Sequence, residues 1–108
     1  MPQSFSSLPV KQEILQAIQQ LGFSQMTEVQ EKAIPPMLEG RDVIAKAPTG
    51  TGKTFAFGIP LIEHCDTEKA AIQSLILAPT RELATQIGDD LGKLTQFLPQ
   101  LRIVVVYG

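Results

Sequence analysis

The sequence predicts an α/β fold: three parallel strands with helices on both faces, preceded by two helices. Three observations carry this. Two amphipathic stretches occupy the first forty residues. Three short apolar runs, 43–45, 75–78 and 103–107, then alternate with helical patterns. These runs are apolar on both sides, as strands of a parallel sheet covered by helices are. Right-handed crossovers place them in one sheet. The organisation predicted is a helical segment over 1–40 and a strand-containing part over 41–108.

The first helix is predicted from Ser7 to Leu21, because Val10, Ile14, Ala17, Ile18 and Leu21 recur at helical spacing; Pro9 suits a first turn and Gly22 a left-handed stop. Thr27 followed by Gln30 spells a capping box that opens a second helix through Ala33, Ile34 and Leu38, ending near Gly40. Pro35 and Pro36 weaken the pattern in its later half. After the first run comes the stretch Ala47-Pro48-Thr49-Gly50-Thr51-Gly52-Lys53-Thr54, and then a helix to His64 with Pro60 as an irregularity. A polar connection over 65–71 leads to the second run, stopped by Pro79. Leu83, Ile87, Leu91 and Leu94 then mark one stripe of a long helix before the third run.

Composition limits the functions open to such a chain. It has 108 residues, 44% of them hydrophobic, and a net charge of -2, which is the profile of one folded domain rather than a disordered chain. Its apolar runs are far shorter than the roughly 18 to 20 residues that cross a bilayer, and Met1 to Phe5 carries no basic leader. Neither secretion nor a membrane partner is expected. The single cysteine, Cys65, suits a reducing compartment, so a cytoplasmic location is expected. A sequence pI near 5.3 offers no global attraction to nucleic acid. Any such contact must come from local residues.

The strand-turn-helix context around Gly50-Thr51-Gly52-Lys53-Thr54 is that of a P-loop, with Ala47 where the first glycine usually stands. Such a turn points successive backbone N–H groups at phosphate oxygens, and the following helix adds its positive end. Lys53 supplies charge to the β and γ phosphates, and the Thr54 hydroxyl is the expected ligand of Mg²⁺. The alternative is a loop with a solvated lysine. Pro79, Thr80 and Arg81 stand at the end of the second run where a helix begins, a set of groups suited to a nucleic-acid phosphate. Capping by Thr80, with Arg81 paired to Glu82 or Asp89, is the plainer reading. His64 and Cys65 have no companions at ligand spacing and read as a helix end. Lys46 reads as a solvated flank.

Phe5, Gly22-Phe23, Thr27 and Gln30, then residues 47–54, then Pro79-Thr80-Arg81-Glu82-Leu83-Ala84 resemble, in order and at family spacing, the Q motif, motif I and motif Ia of DEAD-box ATP-dependent RNA helicases. The final Tyr107-Gly108 resembles the start of that family's next glycine motif. Met26 and Glu28 depart from it, standing where the family usually has prolines. The resemblance implies the first part of a RecA-like domain that binds ATP with Mg²⁺. Phe5, Phe23 and Gln30 then lie at the adenine, Ala47 to Thr54 at the phosphates, Lys53 and Thr54 in catalysis, and Pro79, Thr80 and Arg81 on single-stranded RNA. A glutamine amide can pair with both the N7 acceptor and the N6 donor of adenine; as a capping-box partner of Thr27 it would have a structural task instead. Phe5 is equally readable as a core residue.

Hydrolysis on a P-loop also needs an acidic residue after a later apolar strand. Asp42 precedes its run, Asp66 lies in a connection, and Asp89 and Asp90 lie within a helix. The expectation is therefore an inactive, nucleotide-binding piece of an RNA-stimulated ATPase acting in the cytoplasm, or also the nucleus in a eukaryote. Two other readings remain: a P-loop kinase or GTPase, and a non-catalytic module whose sheet edge self-associates.

Overall fold

A computed structural model of the chain describes residues 4–45 and 52–107. Within them stand helices α1 (Gln12–Gln20), α2 (Glu28–Leu38), α3 (Lys53–Glu63) and α4 (Arg81–Leu94), behind a 3-10 turn at Phe5–Ser7. None of the described helices is long and apolar enough to cross a membrane.

Helix α1 begins at Gln12 rather than Ser7. The turn at Phe5–Ser7 and the extended Leu8 precede it, so Pro9 lies outside the helix. Its inward face is Ile14, Ala17 and Ile18, the spacing of one helical stripe. At its end the Gly22 N–H reaches the Gln19 carbonyl (3.0 Å) and the Phe23 N–H reaches back to Ile18 (3.3 Å), the paired bonds of a Schellman stop.

Helix α2 runs through Pro35 and Pro36 to Leu38, close to the end that its pattern predicts, although two prolines weaken its later half. An interior proline costs a helix about 3 kcal/mol in isolation. Burial of Ala33 and Ile34 against the rest of the core outweighs that local preference. Helix α3 likewise continues through Pro60 and buries Ala56, Gly58, Ile59, Pro60 and Ile62. It packs closely on α4, because a Cβ built at Gly58 would stand 2.6 Å from Leu91 Cδ2. The core joins Phe5, Ile14, Ile34, Ile59 and Leu94 with neighbours from every helix.

The three expected strands do not appear as a sheet among the described residues. Among the described residues no ladder of backbone hydrogen bonds joins them; the one bridge is an isolated antiparallel contact of Ser4 with Gln25. Yet the runs keep a period of two. Val43 and Ile76 are half-buried while Ile44 is 97% and Leu77 86% exposed, and Ile103 and Val105 are about half as exposed as Val104 and Val106. One face of each run turns toward the helices, with Val105 against Gly88 of α4. The other face is open. A parallel sheet is stable when helices cover both faces, and among the described residues the side chains on one face of the runs are left exposed. A cavity of about 940 Å³ is lined by α3, α4 and the second and third runs, so the covered face meets the helices at points such as Val105 and Ile76 without the packing density of a closed core.

Candidate functional site

Helices α2 and α3 meet at their N-terminal ends. Thr27 caps α2 in a complete capping box: its side chain accepts from the Gln30 N–H (3.4 Å), and Gln30 Oε1 accepts from the Thr27 N–H (2.8 Å). Gln30 is only 3% exposed, and its Nε2 donates to the carbonyl of Gly52 (3.1 Å), the residue that caps α3. One buried amide thus ties the start of one helix to the start of another across 22 residues of sequence. Gly52 is required here twice over. Its φ of +83° is left-handed, and a Cβ at this position would run into the Gln30 amide and stand 3.4 Å from Thr27 Oγ1.

The electrostatic consequence follows from the geometry. Each helix N-terminus carries unsatisfied N–H groups and about half a positive charge. Two such ends at one point favour an anion, and Lys53, exposed at the first position of α3, adds a full charge beside them. Thr54 follows, half-buried, with a hydroxyl in the same first turn. Phe23 lies 46% exposed and meets the edge of Phe55, also in that turn, with ring centroids 5.4 Å apart. Gln30 spends one amide hydrogen and one lone pair on Gly52 and Thr27; an amide has two of each.

Ala47, Pro48, Thr49, Gly50 and Thr51, with Lys46 before them, lie outside the described residues. Phe5 is 3% exposed within the core, its N–H bonded to the Ser24 carbonyl (3.1 Å), so no face of its ring is open. Met26 is buried beside it in the same core, so burial anchors the lead into α2 where a proline would stiffen it. Glu28 pairs instead with Lys32 (2.7 Å) on the surface of α2. The hydrogen bond from Lys32, then its charge, hold the Glu28 carboxyl below the usual carboxylate range, and the same contact raises Lys32.

At the second set, Thr80 caps α4 by accepting from the Leu83 N–H (3.1 Å). Pro79, Thr80 and Arg81 are all exposed. The Arg81 guanidinium lies 4.8 Å from the centroid of the Tyr107 ring, a cation–π contact. His64 caps the far end of α3, its ring nitrogen 3.2 Å from the Leu38 carbonyl. Among the described residues no three His, Cys, Asp or Glu side chains gather as a metal cluster. The link from Gln30 to Gly52 and the stacking of Tyr107 on Arg81 carry no local signal in the sequence, since each joins residues far apart in the chain.

The sequence profile of the DEAD/DEAH box helicase family matches residues 27–108. Over 105 residues, 97% of this chain, the sequence is 43% identical to the DEAD-box ATP-dependent RNA helicase CshA of Bacillus cereus, and over 104 residues it is 49% identical to the ATP-dependent RNA helicase CshA of Limosilactobacillus reuteri. The chain spans about one fifth of the length of these curated relatives, 20% and 21%. Among solved structures, a DEAD box protein of Methanococcus jannaschii superposes with a TM-score of 0.80 at 42% identity, covering 84% of this chain and 25% of that one. Dbp5 of Saccharomyces cerevisiae bound to RNA and ADP BeF3 superposes at 0.83 and 35% identity, covering 87% and 25%. These neighbours are RecA-like domains.

Proposed function

The chain belongs to the DEAD/DEAH box helicase family, and from that premise we propose that it is the ATP-binding part of an ATP-dependent RNA helicase, in which RNA-stimulated hydrolysis drives local duplex separation. The observation that carries this reading is the buried Gln30 amide bonded to the Gly52 carbonyl where α2 and α3 begin. It supports the reading because a glutamine amide, able to pair with adenine, stands beside a helix end able to favour phosphate.

In this reading the remaining hydrogen and lone pair of Gln30 face N7 and N6 of adenine. Phe23 offers the open ring beside the base, and Phe5 supports the region from within the core. The stretch from Ala47 to Gly52 is assigned to phosphate binding, and Lys53 neutralises the β and γ oxygens. Thr54 has the hydroxyl that Mg²⁺ bound to a nucleotide takes from a P-loop; that ion is strongly hydrated and needs few protein oxygens. Bound there, it would neutralise phosphate charge. Pro79, Thr80 and Arg81 hold the sugar-phosphate track of RNA without reading bases. The period-two runs pair as three parallel strands when both faces are covered, and the site of action is the cytoplasm. Asp66 lies in a connection and Asp89 and Asp90 lie on α4, so the 108 residues alone bind nucleotide without turning it over.

Competition against a fluorescent adenine nucleotide tests the assignment. ATP displaces the probe and GTP does not; equal displacement by GTP would favour a kinase- or GTPase-type P-loop instead. Phosphate release from ATP, with and without single-stranded RNA, tests the second part. RNA-stimulated turnover by residues 1–108 would refute it.

A further inference from the structure

The far end of α3 carries a contact that the nucleotide reading does not use. Lys11, the N-cap of α1, has no capping side chain of its own, and its N–H donates to Glu63 Oε1 at 2.7 Å. In return the Lys11 ammonium donates to the backbone carbonyl of Glu63, the last residue of α3, at 2.6 Å. The two side chains are themselves an ion pair at 3.8 Å, each about three-quarters buried. So each residue finishes the other's helix across 52 positions of sequence: a carboxylate on the positive end of α1 and an ammonium on the negative end of α3.

This end of α3 needs outside support. Pro60 removes one of its backbone bonds, and the last carbonyls of any helix lack partners within it. His64 adds a second tie, to the Leu38 carbonyl of α2. At the opposite end Gln30 holds Gly52. An eleven-residue helix is about 16 Å long, so a tilt of a few degrees at Glu63 shifts Lys53 and Thr54 by about 1 Å, enough to spoil a phosphate contact.

We infer that Lys11 and Glu63 are positioning residues for phosphate binding: their reciprocal contact sets the axis of α3 and thereby aims Lys53 and Thr54. This rests on the nucleotide assignment above. It predicts a selective defect, because the capping box with Thr27 fixes the Gln30 side chain to α2, so that a tilt of α3 strains its one bond to Gly52 but moves Lys53 and Thr54 further than the amide. Titration of the 108-residue chain with ADP and with adenosine, each followed by calorimetry, separates the two. Lys11→Met and Glu63→Ala are expected to weaken ADP about fivefold, the size of one helix-end charge effect, and to leave adenosine unchanged. Lys11→Arg, which keeps the donor, is expected to restore ADP affinity. Circular dichroism identifies a variant that loses helix; if Glu63→Ala does so, Lys11→Met, which leaves the carboxylate on α1, decides the matter. Loss of ADP and adenosine in equal proportion, or of neither, overturns the positioning role alone. Absence of adenine nucleotide binding in the unsubstituted chain overturns the nucleotide reading, and the positioning role with it.

Discussion

Gln30 has two tasks that pull on one amide, and its chemistry allows both. A glutamate in its place would keep an acceptor for the Thr27 N–H but remove the donor to Gly52 and set a carboxylate against a carbonyl. Gln30→Glu is expected to cost about 1–3 kcal/mol of folding stability, the range for a buried polar group left unmatched, and to abolish the preference for ATP over GTP. Urea unfolding and nucleotide competition measure the two effects. Gly52→Ala is expected to lose about 1–2 kcal/mol from left-handed strain alone, with further loss from displacement of the Gln30 amide. The Glu28–Lys32 pair acts in the opposite register, on the surface. Its carboxyl is held below the usual range, so any stabilisation is present above the unfolded carboxylate pKa and fades as pH falls through the lowered folded value. Lys32→Met should therefore shift the melting temperature slightly near neutral pH and not at all in strong acid. Thr27, Gln30 and Thr80 were legible in the sequence because caps are local. The Gln30–Gly52 and Lys11–Glu63 contacts were not, because only the fold brings those pairs together.

Helix by helix, periodicity located α1 to α4, and the mismatches have physical causes. Helix α1 starts five residues later than its pattern suggests, because Phe5 and Leu8 are buried as core residues ahead of it. Pro35, Pro36 and Pro60 weaken the helical pattern locally, yet α2 and α3 absorb them by packing on one another, a tertiary effect that local propensity does not contain. The small residue at Gly58 lets Leu91 approach. Gly58→Val is expected to destabilise the chain by about 1–3 kcal/mol through overpacking, whereas Thr80→Ala, which removes only the cap of α4, should cost about 1 kcal/mol. Thermal or urea unfolding ranks the two.

Across the whole molecule, the alternation of strand and helix patterns pointed to a parallel α/β path, and the motif resemblance to the RecA-like domain of the solved neighbours, but neither pointed to the lack of a ladder among the described residues. Composition and period show which face of a run is apolar; they do not show what lies on it. Here Ile44, Leu75, Leu77, Val104 and Val106 present one open side. Such a surface favours association through its exposed apolar side chains. Sedimentation of the 108-residue chain is expected to show oligomers growing with concentration, and Leu77→Lys with Val106→Lys to suppress them; a monomer at all concentrations would contradict this.

The central claim is that the joined N-terminal ends of α2 and α3 hold an adenine nucleotide. Amide chemical shifts recorded while ADP with Mg²⁺ is added test it most directly. The account predicts saturable shifts concentrated at Thr27, Gln30, Gly52, Lys53 and Thr54, with the GDP titration leaving them in place. Shifts absent from these residues at saturating ADP, or centred instead on Thr80 and Arg81, would contradict it.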